Sequence, residues 1–303
     1  MSASTVTSPS PGRLRTYASF VRLEHTLFSL PLILAGMFSA PGPAMSAGRW
    51  LLVAFAAVGA RTAAMSLNRL VDRHIDAVNP RTASRELPAG RMRLAEALAL
   101  LLASTAAYLL ACAALGPWYL RVSAIPLAVF ALYPYLKRLT PFCHAGVGAA
   151  LALSPLAGYA AAHPDLSHSG PALWLSAFAL CWVSGFDIIY ATLDETFDRA
   201  HGIHSAVVAL GRAGAMRLSW ALHAAAALAL GAAGATMMGS AAARATDWGL
   251  LAGALYALTL ALLYFEQRWA EDVNLAFFKI NVWVGASVLA LVLAARMAAG
   301  GLR

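Results

Sequence analysis

Charge is scarce in this chain. Asp, Glu, Lys and Arg make up 12% of its 303 residues, 60% of residues are hydrophobic, and the mean hydropathy is +0.68. Soluble domains carry about 25% charged residues, so the shortage excludes a soluble globular domain and makes the chain an integral membrane protein. Cysteine is almost absent as well. Cys112, Cys143 and Cys181 stand singly in apolar stretches, with no pair spacing for a disulfide framework or a cysteine metal site, and they read as core or lipid-facing residues. His201 and His204 have no third ligand nearby, which leaves no zinc motif. The formal net charge of +8 invites a nucleic-acid reading, but the basic residues are confined to short loops between apolar runs. No nucleic-acid partner is expected.

What the chain does have is long apolar runs. They fall at roughly 20–40, 50–72, 94–115, 118–136, 142–162, 171–192, 214–238, 246–266 and 277–298, each near the ~20 residues that cross the hydrocarbon layer. The expectation is an all-α integral membrane protein with nine transmembrane helices, surrounded by membrane lipid. Residues 1–19 are rich in Ser, Thr, Pro and Gly and read as a flexible cytoplasmic tail, and 20–303 as a single transmembrane domain. A cleaved signal peptide is not expected, because the segment before Leu27–Ala35 is too long and contains Glu24. With the N-terminus inside, the cytoplasmic loops receive Arg13, Arg15, Arg22, Arg73, Arg81, Arg85, Lys137, Arg138 and most other basic residues. The opposite side receives Arg49, Arg121, Arg244, Arg296 and Arg303. This asymmetry places the N-terminus in the cytoplasm, in the inner membrane of the cell.

Against that apolar background two acidic stretches stand out. In NRLVDRHID, which closes the second span, Asn68, Asp72 and Asp76 recur every four residues. On a helix each is turned only about 40° from the last, so one wall carries two carboxylates and an amide. In FDIIYATLDETFDRAHG, Tyr190, Asp194 and Asp198 repeat the interval, and Asp187 lies seven residues before Asp194 on the same face. Opposed, the two faces make a box of oxygen ligands. Such a box suits Mg²⁺, which takes one or two carboxylates per ion and completes its octahedron with water and substrate phosphates. A phosphorylated substrate is implied. Both faces end on the cytoplasmic side, beside basic loops in which Arg73, Arg81, Arg85, Lys137 and Arg138 are candidates to bind phosphate oxygens.

At these residues the sequence resembles the UbiA superfamily of intramembrane aromatic prenyltransferases. The N-x-x-x-D-x-x-x-D and D-x-x-x-D motifs follow the second and sixth spans. PRTASRELPAG resembles the family's R-T-x-x-R-P-L-P-x-G stretch, with Glu86 where proline is common, and YPYLKRLTP resembles its Y-P-x-x-K-R segment. Arg69 stands where a further acid is frequent in the first motif. The wording is most similar to the 4-hydroxybenzoate polyprenyltransferases and to a related branch acting on a dihydroxynaphthoate in the futalosine route to menaquinone. The resemblance implies a helix bundle around a central cavity, and Mg²⁺-dependent transfer of a prenyl group from a polyprenyl diphosphate to an aromatic acid acceptor. Asp72, Asp76, Asp194 and Asp198, with Asn68 assisting, would hold about two Mg²⁺ ions. Tyr190, Phe186 or Tyr133 would shield an allylic cation, at roughly 0.5–2 kcal/mol each.

Some residues have two readings. Asp187, deeper than the metal ligands, either orients the phenol or accepts its ring proton, or else pairs with Arg61 or another buried donor. Lys137 and Arg138 either bind substrate or anchor the chain at the interface. Arg22 and His25, at the mouth of the first span, are candidates to line the cavity, and Arg61 is a functional candidate because it lies within a span. Two rival classes fit less well. A secondary transporter places its acids near the bilayer midplane, whereas these end their spans. A CDP-alcohol phosphotransferase joins its acidic pairs within one D-G-x-x-A-R stretch, whereas these pairs are far apart.

Overall fold

The computed structural model describes residues 12–23, 26–269 and 279–301, and all regular structure in them is helical. The chain runs through α1 (Arg13–Phe20), α2 (Thr26–Met37), α3 (Ala47–Val78), α4 (Leu94–Leu115), α5 (Pro117–Val122), α6 (Ala124–Leu136), α7 (Cys143–Ala162), α8 (Gly170–Ala191), α9 (Glu195–Ala200), α10 (Ala206–Met238), α11 (Ala241–Arg244), α12 (Asp247–Arg268) and α13 (Asn281–Ala298). Eight stretches are long and apolar enough to cross a membrane, with α5 and α6 together forming one of them. They correspond to the second to ninth expected spans. The first is represented by α2, only 12 residues in its described extent, with Pro31 inside it. Glu24 and His25 lie outside the described residues.

Local chemistry sets the ends that matter. The Ser46 side chain caps α3 by accepting from the Arg49 amide. At its other end α3 runs past the apolar span to Val78, and stops because Asn79 precedes Pro80 and is held extended (φ −85°, ψ 117°). Helix α3 therefore continues six residues beyond the apolar run ending at 72, and the acidic residues stand on a rigid rod. Gly116, at φ 139°, and Pro117 separate α4 from α5. In α10 the backbone breaks at Gly211 (φ 67°, ψ 166°). The span expected from residue 214 follows that break, and residues 206–210 form a short lead-in.

The expected tail is also ordered from Arg13 onward. Phe20 is fully buried against Leu70, Met92 and Ala97, with Tyr17 packed beside it. Ser19 donates to Glu86 Oε1 at 2.6 Å, so α1 is pinned to the loop after α3.

Helix α8 is the axis of the bundle. Two-thirds (67%) of its apolar window is buried, against 22% for α4 and α12, which face lipid along most of their length. Trp182, Phe178 and Leu175 of α8 meet Leu230 of α10 and Val288 and Leu291 of α13 in the main core. Leu51, Phe55, Leu102, Leu132 and Leu228 point outward, as expected where the solvent is hydrocarbon. Small residues let the helices approach: a Cβ at Gly36 of α2 would collide with the Pro155 carbonyl, and one at Gly158 of α7 with the Ile33 carbonyl. Gly158→Ala is therefore expected to destabilise the solubilised protein by about 1–3 kcal/mol. Gly253→Ala, in α12 with open space around it, should be neutral or slightly stabilising. Equal melting temperatures for the two variants would contradict this crossing.

Candidate active site

The last turns of α3 and the segment running from the end of α8 through α9 meet across a cavity of about 210 Å³. Asn68, Asp72, Asp76, Arg81, Arg85, Tyr133, Lys137, Asp187, Tyr190, Asp194 and Asp198 all line it. The two acidic stretches, far apart in sequence, thus face one space. Its remaining wall is partly apolar, from Ile75, Val147 and Ala191.

Each carboxylate at the rim but Asp198 is held by a cation. Lys137 Nζ lies 2.6 Å from Asp72 Oδ2, and Arg138 Nη1 lies 3.3 Å from Asp72 Oδ1. The Asn68 amide adds a donor to Asp72 at 3.3 Å. Arg85 Nη1 donates to both oxygens of Asp76, at 2.7 and 2.8 Å. Arg81 grips Asp194 with a fork of Nε (2.9 Å) and Nη2, donates from Nη1 to the Tyr190 hydroxyl at 2.7 Å, and sits 4.7 Å over the Tyr190 ring. Asn79 braces this arrangement: its side chain accepts from the Arg81 amide and donates to Asp194, both at 2.9 Å. The loop after α3 and the segment after α8 are joined through these contacts.

The two acids of the second stretch differ in electrostatics. Burial pushes the Asp194 carboxyl up, but hydrogen bonds from Arg81 and Asn79 outweigh it and hold the group below the usual carboxylate range. Asp198 has no such fork. Burial, and then the neighbouring Asp194 carboxylate, push it up to about 6.

Other expected residues lie elsewhere. Arg73 donates to the Leu70 carbonyl at 2.8 Å and does not line the cavity. Arg138 reaches Asp72 from behind the wall, held by the Pro134 and Val71 carbonyls at 2.9 and 3.0 Å. Arg22 contributes its carbonyl, which accepts from Arg61 Nη2 at 2.7 Å, and is not among the lining residues. Phe186 is buried in the core beside Trp182. Asp187 pairs with His144 of α7 at 2.7 Å rather than with Arg61. Sequence reasoning passed over His144 and Asn79. The available signal for His144 was an ionisable residue in an apolar span; for Asn79 it was the helix stop at Asn-Pro, three residues after Asp76.

Asn68, Asp72, Asp76, Asp194 and Asp198 are hard oxygen donors around one space. Among the described residues no three carboxylate, histidine or cysteine groups close on a single point. Mg²⁺ does not need such a cage, because it takes one or two carboxylates and completes its shell with water and phosphate. The donor set fits that ion.

The sequence matches the UbiA prenyltransferase family over residues 29–295. The chain belongs to that family. As a UbiA-family protein it is a membrane-embedded prenyltransferase. It is 30% identical over 290 residues to a 4-hydroxybenzoate octaprenyltransferase of Cupriavidus necator, covering 92% of this chain and 96% of that protein. A UbiA homologue from Aeropyrum pernix K1, solved in the apo state, superposes with a TM-score of 0.78 at 35% identity, over 89% of this chain and 98% of that one. A UbiA homologue from Archaeoglobus fulgidus, solved bound to GPP and Mg²⁺, shares the fold (TM-score 0.69, 17% identity, 93% and 99% coverage).

A metal ligand must be deprotonated, so were Asp198 to hold a divalent ion, its raised carboxyl would make binding pH-dependent. Mg²⁺ affinity of the UbiA-family protein, measured by calorimetry, should fall as pH drops from 7 to 5. The limit is about tenfold per pH unit below 6, one proton being displaced. A flat profile across that window would remove Asp198 from the ligand set.

Proposed function

We propose that this protein transfers a polyprenyl group from a polyprenyl diphosphate to 4-hydroxybenzoate, with Mg²⁺, at the cytoplasmic face of the inner membrane. One observation carries the reading: acids from two distant stretches line one cavity whose rim also holds Arg81, Arg85 and Lys137. The name borne by the Cupriavidus necator relative supports the acceptor. The acids end their spans beside basic loops, which supports a diphosphate site over an ion-coupling transport site near the midplane.

The residues divide the work. Arg81, Arg85 and Lys137 are donors that match phosphate oxygens as well as they match carboxylates. Mg²⁺ held by Asn68, Asp72, Asp76, Asp194 and Asp198 would neutralise the diphosphate and so ease heterolysis of the allylic C–O bond. Tyr190 and Tyr133, both on the cavity wall, shield the allylic carbon by cation–π contact, worth roughly 0.5–2 kcal/mol each. The apolar wall keeps water from trapping the cation. The electron-rich ring then attacks, and Asp187, deeper than the rim acids, takes the ring proton as aromaticity returns.

Purified protein given 4-hydroxybenzoate, a radiolabelled prenyl diphosphate and Mg²⁺ should form the prenylated acid. It should lose activity in EDTA and regain it with added Mg²⁺. Asp72→Ala and Asp194→Ala should remove nearly all turnover, and full activity in both would end this reading. Arg81→Ala should lower kcat by about 10²–10³, the scale for loss of one preorganised donor. An unchanged kcat would take Arg81 out of the diphosphate site.

A further inference from the structure

We infer that His144 is a positioning residue for proton removal: it holds Asp187 as a correctly turned base by donating a hydrogen bond from Nδ1. The inference rests on the reading of Asp187 as proton acceptor given above.

His144 lies in the first turn of α7 and is buried, 5% exposed. Its two ring nitrogens have different partners. Nδ1 is 2.7 Å from Asp187 Oδ2, and Nε2 is 3.2 Å from the backbone nitrogen of Ala206. Ala206 is the first residue of α10, so its N–H is one of the orphan donors at a helix start. A backbone N–H can only donate. Nε2 must therefore accept, which makes the imidazole neutral and puts its one proton on Nδ1. That proton is given to Asp187, whose Oδ2 can receive it only as an acceptor.

Two consequences reach the cavity. One Asp187 oxygen is turned back toward α7, and among the described residues this is its one hydrogen bond. Its side chain is 25% exposed and lines the cavity, leaving Oδ1 for the ring. In the reaction the ring C–H bond breaks, its electron pair returns to the ring, and the proton passes to Asp187 Oδ1, while the diphosphate has already left with the allylic C–O electrons. His144 gains and loses nothing in this step. It sets the direction of the acceptor, as the third member of a catalytic triad orients its neighbour.

The test uses two amides that divide the two roles of the ring. His144→Asn places a donor N–H near Nδ1, toward Asp187. His144→Gln places its amide near Nε2, where it satisfies the Ala206 N–H but offers nothing to Asp187. Full-length protein in lipid nanodiscs is assayed with geranyl diphosphate, Mg²⁺, and 4-hydroxybenzoate either unlabelled or deuterated on the ring carbons beside the hydroxyl. Wild type and H144N should show no ring-deuterium isotope effect, because proton removal is fast. H144Q should show a normal primary isotope effect with kcat lowered about 10-fold or more, the scale of a misplaced general base. Equal behaviour of H144N and H144Q, or a slow H144Q without an isotope effect, overturns the inference. An Asp187→Asn protein with wild-type kcat and no isotope effect overturns the base assignment itself, which is a different result. Independently of turnover, ¹⁵N-histidine spectra of the substrate-free protein should show His144 as the neutral Nδ1–H tautomer. An imidazolium or an Nε2–H form overturns the inference even where neither variant folds.

Discussion

A carboxylate taken out of water must be given a cation, and the rim of this bundle is arranged by that requirement. Asp72 and Asp76 are 2% and 4% exposed, and leaving either alone would cost several kcal/mol. Their partners come from different parts of the chain: Lys137 and Arg138 from the end of α6, Arg85 from the loop after α3. Arg81 carries the same logic to Asp194 beyond α8. Removing one partner of such a pair costs roughly 3–5 kcal/mol, because the other is left uncompensated. The pairs therefore act as ties between segments distant in sequence, and they close that end of the bundle.

The same requirement explains why the acids do not already form a metal cage. Each but Asp198 is occupied by a cation whose donors point inward. In the proposed reaction a diphosphate brings its own negative oxygens to the rim. Arg81, Arg85 and Lys137 can then turn from carboxylate to phosphate without any charge being left unpaired, and the released carboxylate oxygens become available to a hard cation. Binding of the anion and of the cation each relieve the cost of the other. A cluster of bare carboxylates would lack this compensation, since two like charges a few ångströms apart disfavour one another's ionisation. The raised Asp198, beside Asp194 and without a fork of its own, is a small instance of that penalty.

Much of this was legible in the sequence because helical spacing is a strong constraint. Residues four apart share a face, so Asn68, Asp72 and Asp76 were read together and are found together on α3, whereas Tyr190, Asp194 and Asp198 reach the same cavity although the helix expected to carry them breaks between Ala191 and Glu195. The misplacements obey the same geometry. Arg73, Arg138 and Phe186 each sit one residue from a cavity-lining neighbour (Asp72, Lys137 and Asp187), and one residue is about 100° of rotation. Arg73 turns back on its own helix, Arg138 grips Asp72 from behind, and Phe186 enters the core. Charge type suggested a role for the two arginines, and azimuth decided where they point. The partner of Asp187 was beyond reach for another reason. Whether Arg61 or His144 meets it depends on how α7 and α8 pack, which no spacing within one helix encodes. The length of α3 was also hidden, because polar residues past the apolar span look the same in a helix as in a loop until Asn79-Pro80 ends it.

Depth orders the chemistry. Along the second acidic stretch the side chains facing the cavity run from Asp198 and Asp194 at the rim, through Tyr190, to Asp187 inside. Charge density falls along that line: Asp194 is met by a guanidinium, Tyr190 by Arg81 at its hydroxyl and over its face, and Asp187 by a histidine ring. In the proposed reaction an N–H donor at that position turns one Asp187 oxygen back toward α7 and leaves the other facing the cavity, so the group meant to take the ring proton is aimed before the ring arrives.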